Sequence, residues 1–552
     1  MKTYAAIAKL LKREGVEYLF CYPSNTLIEA CAVEGIRPIL SRTERTAISM
    51  ADGYTRMHNG KKIGVCAFQR ASGSENMFGG VAQVFSDNTP ILILPGGNQR
   101  TETGVPYSFD AKDHYRNTTK WVESINLPDR MPSMMRRAFS QLRNGRRGPI
   151  MLETPMDVAN LEVNDALIDA YVPPVSYASQ AGPAEVEAAV AALLAAKAPV
   201  FLAGQGVLYA EAWDELLELA ELVQVPVAAT MNAKGVFPDE HPLSLGTTAA
   251  ACTGHGDVFL TNADLIFGVG ASFSSNTYSY GLPSGKTMVQ ITTDERDLNK
   301  DHPTDIGLIG DAKLVLRQVI DAVRERLRGK GKARDGAAVT AAVAAAKQEW
   351  LDVWMPRLLS DDSPISPYRV IHEMNNVFDR ANTMVTHDAG NPRDQIVPFY
   401  KAPAPRSYLG WGKSTHLGWG YGLAMGAKLA APSKLSVNFL GDAAFGMVGM
   451  EVETAVRERI GVLTLLVNNQ GMAGYPNNYP TAVTQFGFAN LTGHYAKMAE
   501  TLGAHGERVE QAADVAGALE RAAKITMDGR PALLEIMTRP ETVISRSARR
   551  GR

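Results

Sequence analysis

Two hard oxygen donors stand at the ends of successive apolar runs in Leu435–Gly471, LSVNFLGDAAFGMVGMEVETAVRERIGVLTLLVNNQG. The first run ends in Gly441-Asp442, followed by the small residues Ala443 and Ala444; the second ends in Asn468-Asn469. If both runs are parallel strands, their carboxyl ends open on one edge of a sheet, where ligands bind. An Asp carboxylate, an Asn amide oxygen and a backbone carbonyl suit Mg²⁺, which completes its octahedron with phosphate oxygens and water. Small residues after Asp442 let backbone N–H groups at a helix start approach a phosphate. Taken separately, one half also reads as an acidic turn and the other as an Asn-Asn turn.

The elements that must position these donors are written as short apolar runs alternating with helical patterns. Strands are predicted over Val16–Phe20, Ile63–Phe68, Ile91–Leu94, Pro149–Glu153, Val200–Ala203, Leu265–Val269, Met288–Ile291, Thr383–His387, Leu435–Leu440, Val462–Val467 and Ala532–Ile536. Helices are predicted between them, including Glu185–Ala196, Glu211–Leu222, Met450–Glu458 and Val515–Ala523. Runs that are continuous rather than alternating suit strands buried on both faces. The pattern predicts an α/β protein with doubly wound parallel sheets. Val172–Pro183, carrying Pro173, Pro174, Gly182 and Pro183, reads as a linker, and Gly329–Gly336 with Asp361–Pro367 marks a second break. Three domains are expected, at 1–172, 183–330 and 360–552, each large enough to bury its own core.

Composition excludes several function classes. In 552 residues, Lys+Arg is 56 against Asp+Glu 58, a net charge of −2, which leaves no electrostatic footprint for nucleic acid or an anionic membrane. The basic cluster Arg546, Arg549, Arg550 and Arg552 reads as a solvated tail. Cys21, Cys31, Cys66 and Cys252 are too dispersed for a disulfide framework or a structural zinc, and a reducing cytoplasm is expected. Lys9, Lys12 and Arg13 interrupt the N-terminal apolar stretch, which therefore does not read as a secretory signal. No run approaches the roughly 18–20 apolar residues that span a bilayer.

The Asp442…Asn469 motif resembles that of thiamine-diphosphate enzymes, in which Gly-Asp-Gly precedes Asn-Asn by a similar interval; Ala443 stands where the family usually has Gly. Other segments agree in order along the whole chain. Leu40–Arg56, LSRTERTAISMADGYTR, is similar to the first-domain segment of the acetolactate synthase and pyruvate oxidase group, and places Glu44 where the group's glutamate contacts the cofactor pyrimidine. By itself Glu44 also reads as a helix-start carboxylate stabilised by the helix dipole. QRASGSEN at Gln69–Asn76, MNAKGVFPDEHPLSLG at Met231–Gly246 and STHLGWGYGLAMGAK at Ser414–Lys428 match further segments of the group. Arg70 and Ser72 depart from it.

The resemblance implies Asp442 and Asn469 as side-chain ligands of Mg²⁺ and Gly471 as a backbone ligand. It assigns Pro23, Gly73, Asn76, Asn391, Gly441, Ala443, Ala444 and Met472 to cofactor binding. Leu417 occupies the position of the apolar wedge that bends the cofactor, and the Thr415 carbonyl would accept from its 4′-amino group. Glu44 would exchange a proton at pyrimidine N1′, helped by a carboxyl pKa raised in an apolar pocket. The pyrimidine and diphosphate sites come from different subunits in this family, so a homodimer or homotetramer with active sites at the subunit interface is implied. Gln69, Arg70, Asp110, Asp113, His114 and His416 come from pocket-lining segments of relatives, and each also reads as an ordinary solvated polar residue. Arg70 could hold the carboxylate of a 2-oxo acid, and His416 could assist a proton transfer.

The expected reaction is decarboxylation or carboligation of a 2-oxo acid, with an aldehyde as a further substrate. An oxalyl-CoA decarboxylase or 2-hydroxyacyl-CoA lyase is the second enzymatic reading, and a degenerate regulatory paralogue the non-enzymatic one. Two positions depart from acetolactate synthase itself: Ser272 stands where it has an arginine, and Asn478 where it has a substrate-sizing tryptophan. Thr292 replaces an aspartate expected at the adenine ribose of FAD, so flavin is not expected.

Overall fold

The computed structural model describes residues 1–106, 108–329, 333–472 and 474–547. Arg549, Arg550 and Arg552 of the basic tail, and residues 330–332 of the second break, lie outside the described residues.

Three six-stranded sheets follow one another along the chain, and every strand pair in them is parallel. The first holds β1 (Tyr18–Cys21), β2 (Arg37–Leu40), β3 (Gly64–Phe68), β4 (Ile91–Gly97), β5 (Trp121–Ser124) and β6 (Ile150–Pro155), ordered β2-β1-β3-β4-β6-β5. The second holds β7 (Pro199–Ala203), β8 (Val227–Thr230), β9 (Ser244–Thr248), β10 (Leu265–Val269), β11 (Thr287–Thr292) and β12 (Ile306–Ile309), ordered β12-β11-β10-β7-β8-β9. The third holds β13 (Thr383–His387), β14 (Tyr408–Leu409), β15 (Leu435–Gly441), β16 (Leu463–Asn468), β17 (His505–Val509) and β18 (Ala532–Met537), ordered β14-β13-β15-β16-β18-β17. The first and third sheets share one topology, strand for strand. Among the described residues no helix is long and apolar enough to cross a membrane.

All eleven predicted runs are strands, and seven strands escaped prediction. Six of those seven are the two edges of each sheet: β2, β5, β9, β12, β14 and β17. Four of these, β2, β5, β12 and β17, are partly open to solvent and lose the continuous apolar run, whereas buried β9, SLGTT, is small and polar and buried β14 is only two residues long. β17, HGERV, buries only its last residue, and β2, RPIL, only Ile39. β8 was missed because its small residues, VAAT, carry little hydrophobic signal.

Helix Glu44–Met57 of the first sheet's layer crosses helix Trp419–Ala430 of the third at backbone contact. A Cβ on Gly53 would lie 2.0 Å from the Leu423 carbonyl oxygen, and one on Gly426 would lie 1.8 Å from that of Met50. Only glycine permits so close a crossing. The two helices begin at Glu44 and just after Leu417, so this contact ties the predicted pyrimidine residue and the predicted wedge of one chain to a common frame.

Candidate active site

Where the strand order of a parallel sheet switches direction inside the sheet, a ligand crevice forms outside the carboxyl ends of the two strands there. In the third sheet these are β13 and β15, which end in Asp388-Ala389-Gly390 and Gly441-Asp442. A cavity of about 570 Å³ opens at this point, within the range of small-molecule sites. Asn391, Thr415, Leu417, Gly441, Asp442, Ala443, Ala444, Asn469, Gly471 and Met472 all line it. These are the cofactor and metal residues assigned from the third block, gathered from four segments, while His416 is not among them.

The Gly471 N–H is shared between Asp442 Oδ2, at 3.1 Å, and Asn469 Oδ1, at 3.0 Å. Both oxygens therefore converge on one point. Asp442 is 3% exposed, and burial pushes its carboxyl pKa up against the opposing pull of the Ala443 and Gly471 N–H groups. It forms no ion pair among the described residues. A buried, unpaired carboxylate beside a second hard oxygen is a donor set short of a cation. No cluster of three or more His, Cys, Asp or Glu side chains competes for a metal among the described residues. At Gly471 a Cβ would meet the Ala489 carbonyl oxygen at 2.9 Å, so a side chain there would force the turn apart. The residues present thus fit a divalent cation carrying a diphosphate, with Arg393, Arg539 and Arg546 the cations of the cavity wall.

Leu417 and Thr415 sit on the loop from Gly410 to Gly420. The backbone there is unusual: Thr415 has φ 56° and Gly418 φ 82°. Two buried carboxylates hold it. Asp87 accepts from the N–H groups of Gly412 (3.1 Å) and Lys413 (3.2 Å), and Asp388 from those of Gly418 (2.8 Å) and Gly420 (2.9 Å). Asp87 also takes Arg56 Nη2 at 3.1 Å and, from the central layer, Asn232 Nδ2 at 3.2 Å, so all three layers meet at this loop. Burial raises the Asp388 pKa to about 6, its three backbone N–H partners pulling the other way. Sequence reasoning missed both carboxylates. The signal available was that Asp87 sits in SDNTP and Asp388 ends a predicted strand. An Asp87→Asn variant is expected to lose about 1–3 kcal/mol, the cost of weakening the buried hydrogen bonds that Asp87 accepts, while Arg56 keeps its pair with Asp52. Thermal melting should show a midpoint lowered by several degrees; an unchanged midpoint would mean that Asp87 does not anchor the junction.

Glu44, Gly73 and Asn76 come together elsewhere. Glu44 opens its helix, is 6% exposed, hydrogen-bonds the Asn76 side chain and lies 3.6 Å from where a Gly73 Cβ would be. Burial raises its pKa, opposed by its own N–H and by Asn76. None of the three lines the cavity around Asp442, and neither does Pro23, which is exposed after β1.

The remaining candidates have partners that explain them locally. Arg70 is ion-paired to Glu102 at 2.7 Å and bonded to Asn98, and does not line the cavity. The His114 ring is exposed and stacks on Phe109 at 4.4 Å. Asp110 caps its own short helix by accepting from the Asp113 N–H, and Asp113 pairs with Arg116. Exposed Gln69 lies beside Arg70. His416 turns its ring away from the cavity toward Gly79, where a Cβ would stand 2.8 Å from Cε1, and burial lowers its pKa. Thr415 and Leu417, on either side of it, face the opposite way, into the cavity.

A second cleft of about 570 Å³ lies at the β7/β10 reversal of the central sheet, walled by Gly204, Gly206, Gly270, Ser272, Thr292 and Lys413. The Thr292 hydroxyl is bonded to Asp297 at 3.3 Å, and Ser272 to Ser274 at 2.8 Å. Asp297 is in turn paired with Arg146 and Lys300.

Comparisons with known proteins agree with this layout. The N-terminal TPP binding domain of thiamine pyrophosphate enzymes matches residues 1–123, the central domain 186–319, and the C-terminal TPP binding domain 388–536. A probable acetolactate synthase large subunit of Methanocaldococcus jannaschii is 29% identical, over 98% of this chain and 92% of its own. A glyoxylate carboligase of Escherichia coli is 28% identical, over 99% and 94%. An acetolactate synthase of Arthrospira platensis is 26% identical, over 92% and 89%. With three domain matches covering most of its length in order on three parallel α/β layers, the chain belongs to the thiamine pyrophosphate enzymes, in the acetolactate synthase and pyruvate oxidase superfamily.

Proposed function

We propose that the protein is a Mg²⁺- and thiamine-diphosphate-dependent carboligase or decarboxylase acting on a 2-oxo acid, of acetolactate synthase type. The observation that carries this reading is the buried, unpaired Asp442 beside Asn469, in the cavity that Leu417 and Thr415 also line. When bound, the cofactor supplies a nucleophilic thiazolium carbon and an electron sink for the carbanion left by C–C cleavage. The chain's part is to bind, orient and move protons. Asp442, Asn469 and the Gly471 carbonyl would hold the metal, and the N-terminal turn of helix Asn391–Phe399 would face the diphosphate. Leu417 offers an apolar support, and the Thr415 carbonyl an acceptor. Glu44, whose pKa burial raises, is suited to hold or release a proton at the cofactor.

Glu44 does not line the cavity of its own chain. The reading therefore requires a second copy to bring Glu44, Gly73 and Asn76 over it, and the working unit is a homodimer or a multiple of one. The test is a screen of the cofactor-loaded protein against 2-oxo acids, aldehydes and acyl-CoA thioesters, reading CO₂ release and ligation products by mass spectrometry. Turnover of acyl-CoA thioesters alone would replace this reading with the lyase one, and no turnover with cofactor bound would favour a regulatory protein.

Flavin is not part of the proposal. Thr292 brings no carboxylate to the end of β11, and nearby Asp294 and Asp297 are paired with Arg296, Arg146 and Lys300. The purified protein is expected to be colourless and to turn over without added FAD; a stoichiometric yellow chromophore would overturn this.

A further inference from the structure

The 2-oxo acid of the proposed reaction carries a carboxylate, and a cation must hold it. Sequence pointed to Arg70, which Glu102 and Asn98 already occupy. Among the described residues, three arginines line the cavity wall. Arg546 is more than half exposed, and Arg539 is paired with Asp362 and Glu541. Arg393 differs from both. It is 5% exposed, its Nε donates to Asp394 at 2.7 Å, and its Nη1, sealed from solvent, has no hydrogen-bond partner. Its guanidinium lies 4.6 Å from the ring centroid of Tyr278, which extends from the central layer into the same cavity. That ring braces one face and leaves the planar edge as the donor surface.

The ion pair with Asp394 and the Tyr278 ring account for only part of the Arg393 guanidinium. It occupies the first turn of helix Asn391–Phe399, where the helix dipole disfavours a cation. The pair with Asp394 leaves Nη1 buried without a partner, which is costly unless something completes it. Its direction separates substrate from diphosphate. A Cβ placed on Gly412 would be 3.8 Å from Thr415 Cγ2 and 3.9 Å from Arg393 Cδ, so the arginine stem runs along the wedge loop. The preceding Pro392 faces the other end, its Cγ 3.4 Å from the Cβ position of Gly441, next to Asp442.

We propose that Arg393, braced by Tyr278, is the substrate-binding residue that receives the carboxylate of the 2-oxo acid. This rests on the thiamine-diphosphate reading above and adds the group that recognises the acid. It makes the preference for a 2-oxo acid over the corresponding aldehyde a property of one side chain.

The test uses the holoenzyme and two probes. Oxamate, an unreactive carboxylate of pyruvate's shape, is titrated calorimetrically into wild type and Arg393→Gln, each loaded with thiamine diphosphate and Mg²⁺. Pyruvate and acetaldehyde are then compared as substrates. Loss of a charge-assisted pair is expected to weaken oxamate and lower kcat/KM for pyruvate by roughly tenfold to a hundredfold, leaving acetaldehyde within about twofold. Arg393→Lys, which keeps the charge without the fork, should recover part of the oxamate affinity. Unchanged oxamate affinity in Arg393→Gln, or an equal loss for pyruvate and acetaldehyde, overturns the assignment. Cofactor binding is followed separately by tryptophan fluorescence: its absence in wild type overturns the cofactor reading and this one with it, whereas normal cofactor binding with unchanged oxamate affinity overturns Arg393 alone.

Discussion

An Asp442→Ala variant is expected to bind no thiamine diphosphate at micromolar cofactor, while Asn469→Ala binds it weakly and is partly rescued by excess Mg²⁺. Mg²⁺ demands near-octahedral oxygen geometry and tolerates a missing ligand poorly. Asp442 supplies the only carboxylate among the described residues of the cavity wall, so its removal takes away both a ligand and the charge that balances the metal. Asn469 contributes a neutral oxygen, and its loss leaves that charge in place. The Gly471 N–H, shared between the two side chains, keeps one acceptor in either variant. Calorimetric titration of cofactor at several Mg²⁺ concentrations separates the cases. Wild-type affinity and Mg²⁺ dependence in Asp442→Ala would remove the metal assignment, and the proposed function with it.

Glu44→Gln is expected to leave fold and Mg²⁺–diphosphate binding near wild type while slowing proton exchange at the cofactor's C2 by orders of magnitude. The substitution is nearly isosteric, and the Thr43 cap of the helix is untouched. What it removes is a carboxyl group able to hold or release a proton, one whose pKa burial raises. Glu44 and Asp442 belong to separate sites within one chain, so the two variants should fail differently, one in exchange and the other in binding. C2–H exchange read by NMR after acid quench decides it: near-normal exchange in Glu44→Gln takes Glu44 out of the mechanism.

Much of this was legible in the chain, for a physical reason that also marks the limit. Central strands of a parallel sheet are buried on both faces, so β3, β4, β10, β13, β15 and β16 announce themselves as apolar runs. Because ligands gather at the carboxyl ends of such strands, Asp442 and Asn469 could be placed on one edge before any contact was known. The resemblance then supplied Thr415, Leu417, Asn391 and Met472, all of which line that cavity. Edge strands were not legible, since half-exposed runs such as HGERV look like loops and buried SLGTT is too small and polar to stand out.

Sequence by itself determined the fold class, the succession of three α/β layers and which strand-end residues gather around the third sheet's cavity, because burial and strand-end chemistry are local and leave a local pattern. Only tertiary structure decided which polar residues are spent and which are free. Arg70 and Arg393 look alike in the chain, and each pairs with a carboxylate, Glu102 or Asp394, yet Arg70 lies away from the cavity while Arg393 is buried in its wall with one nitrogen unpartnered. Asp87, Asp388 and Asp442 look alike too. The first accepts backbone and Arg56 donors, the second caps the wedge loop, and the third is left without a cation. The difference lies in partners brought from hundreds of residues away, and burial makes those partnerships decisive, since a buried charge must find a counterpart or await one.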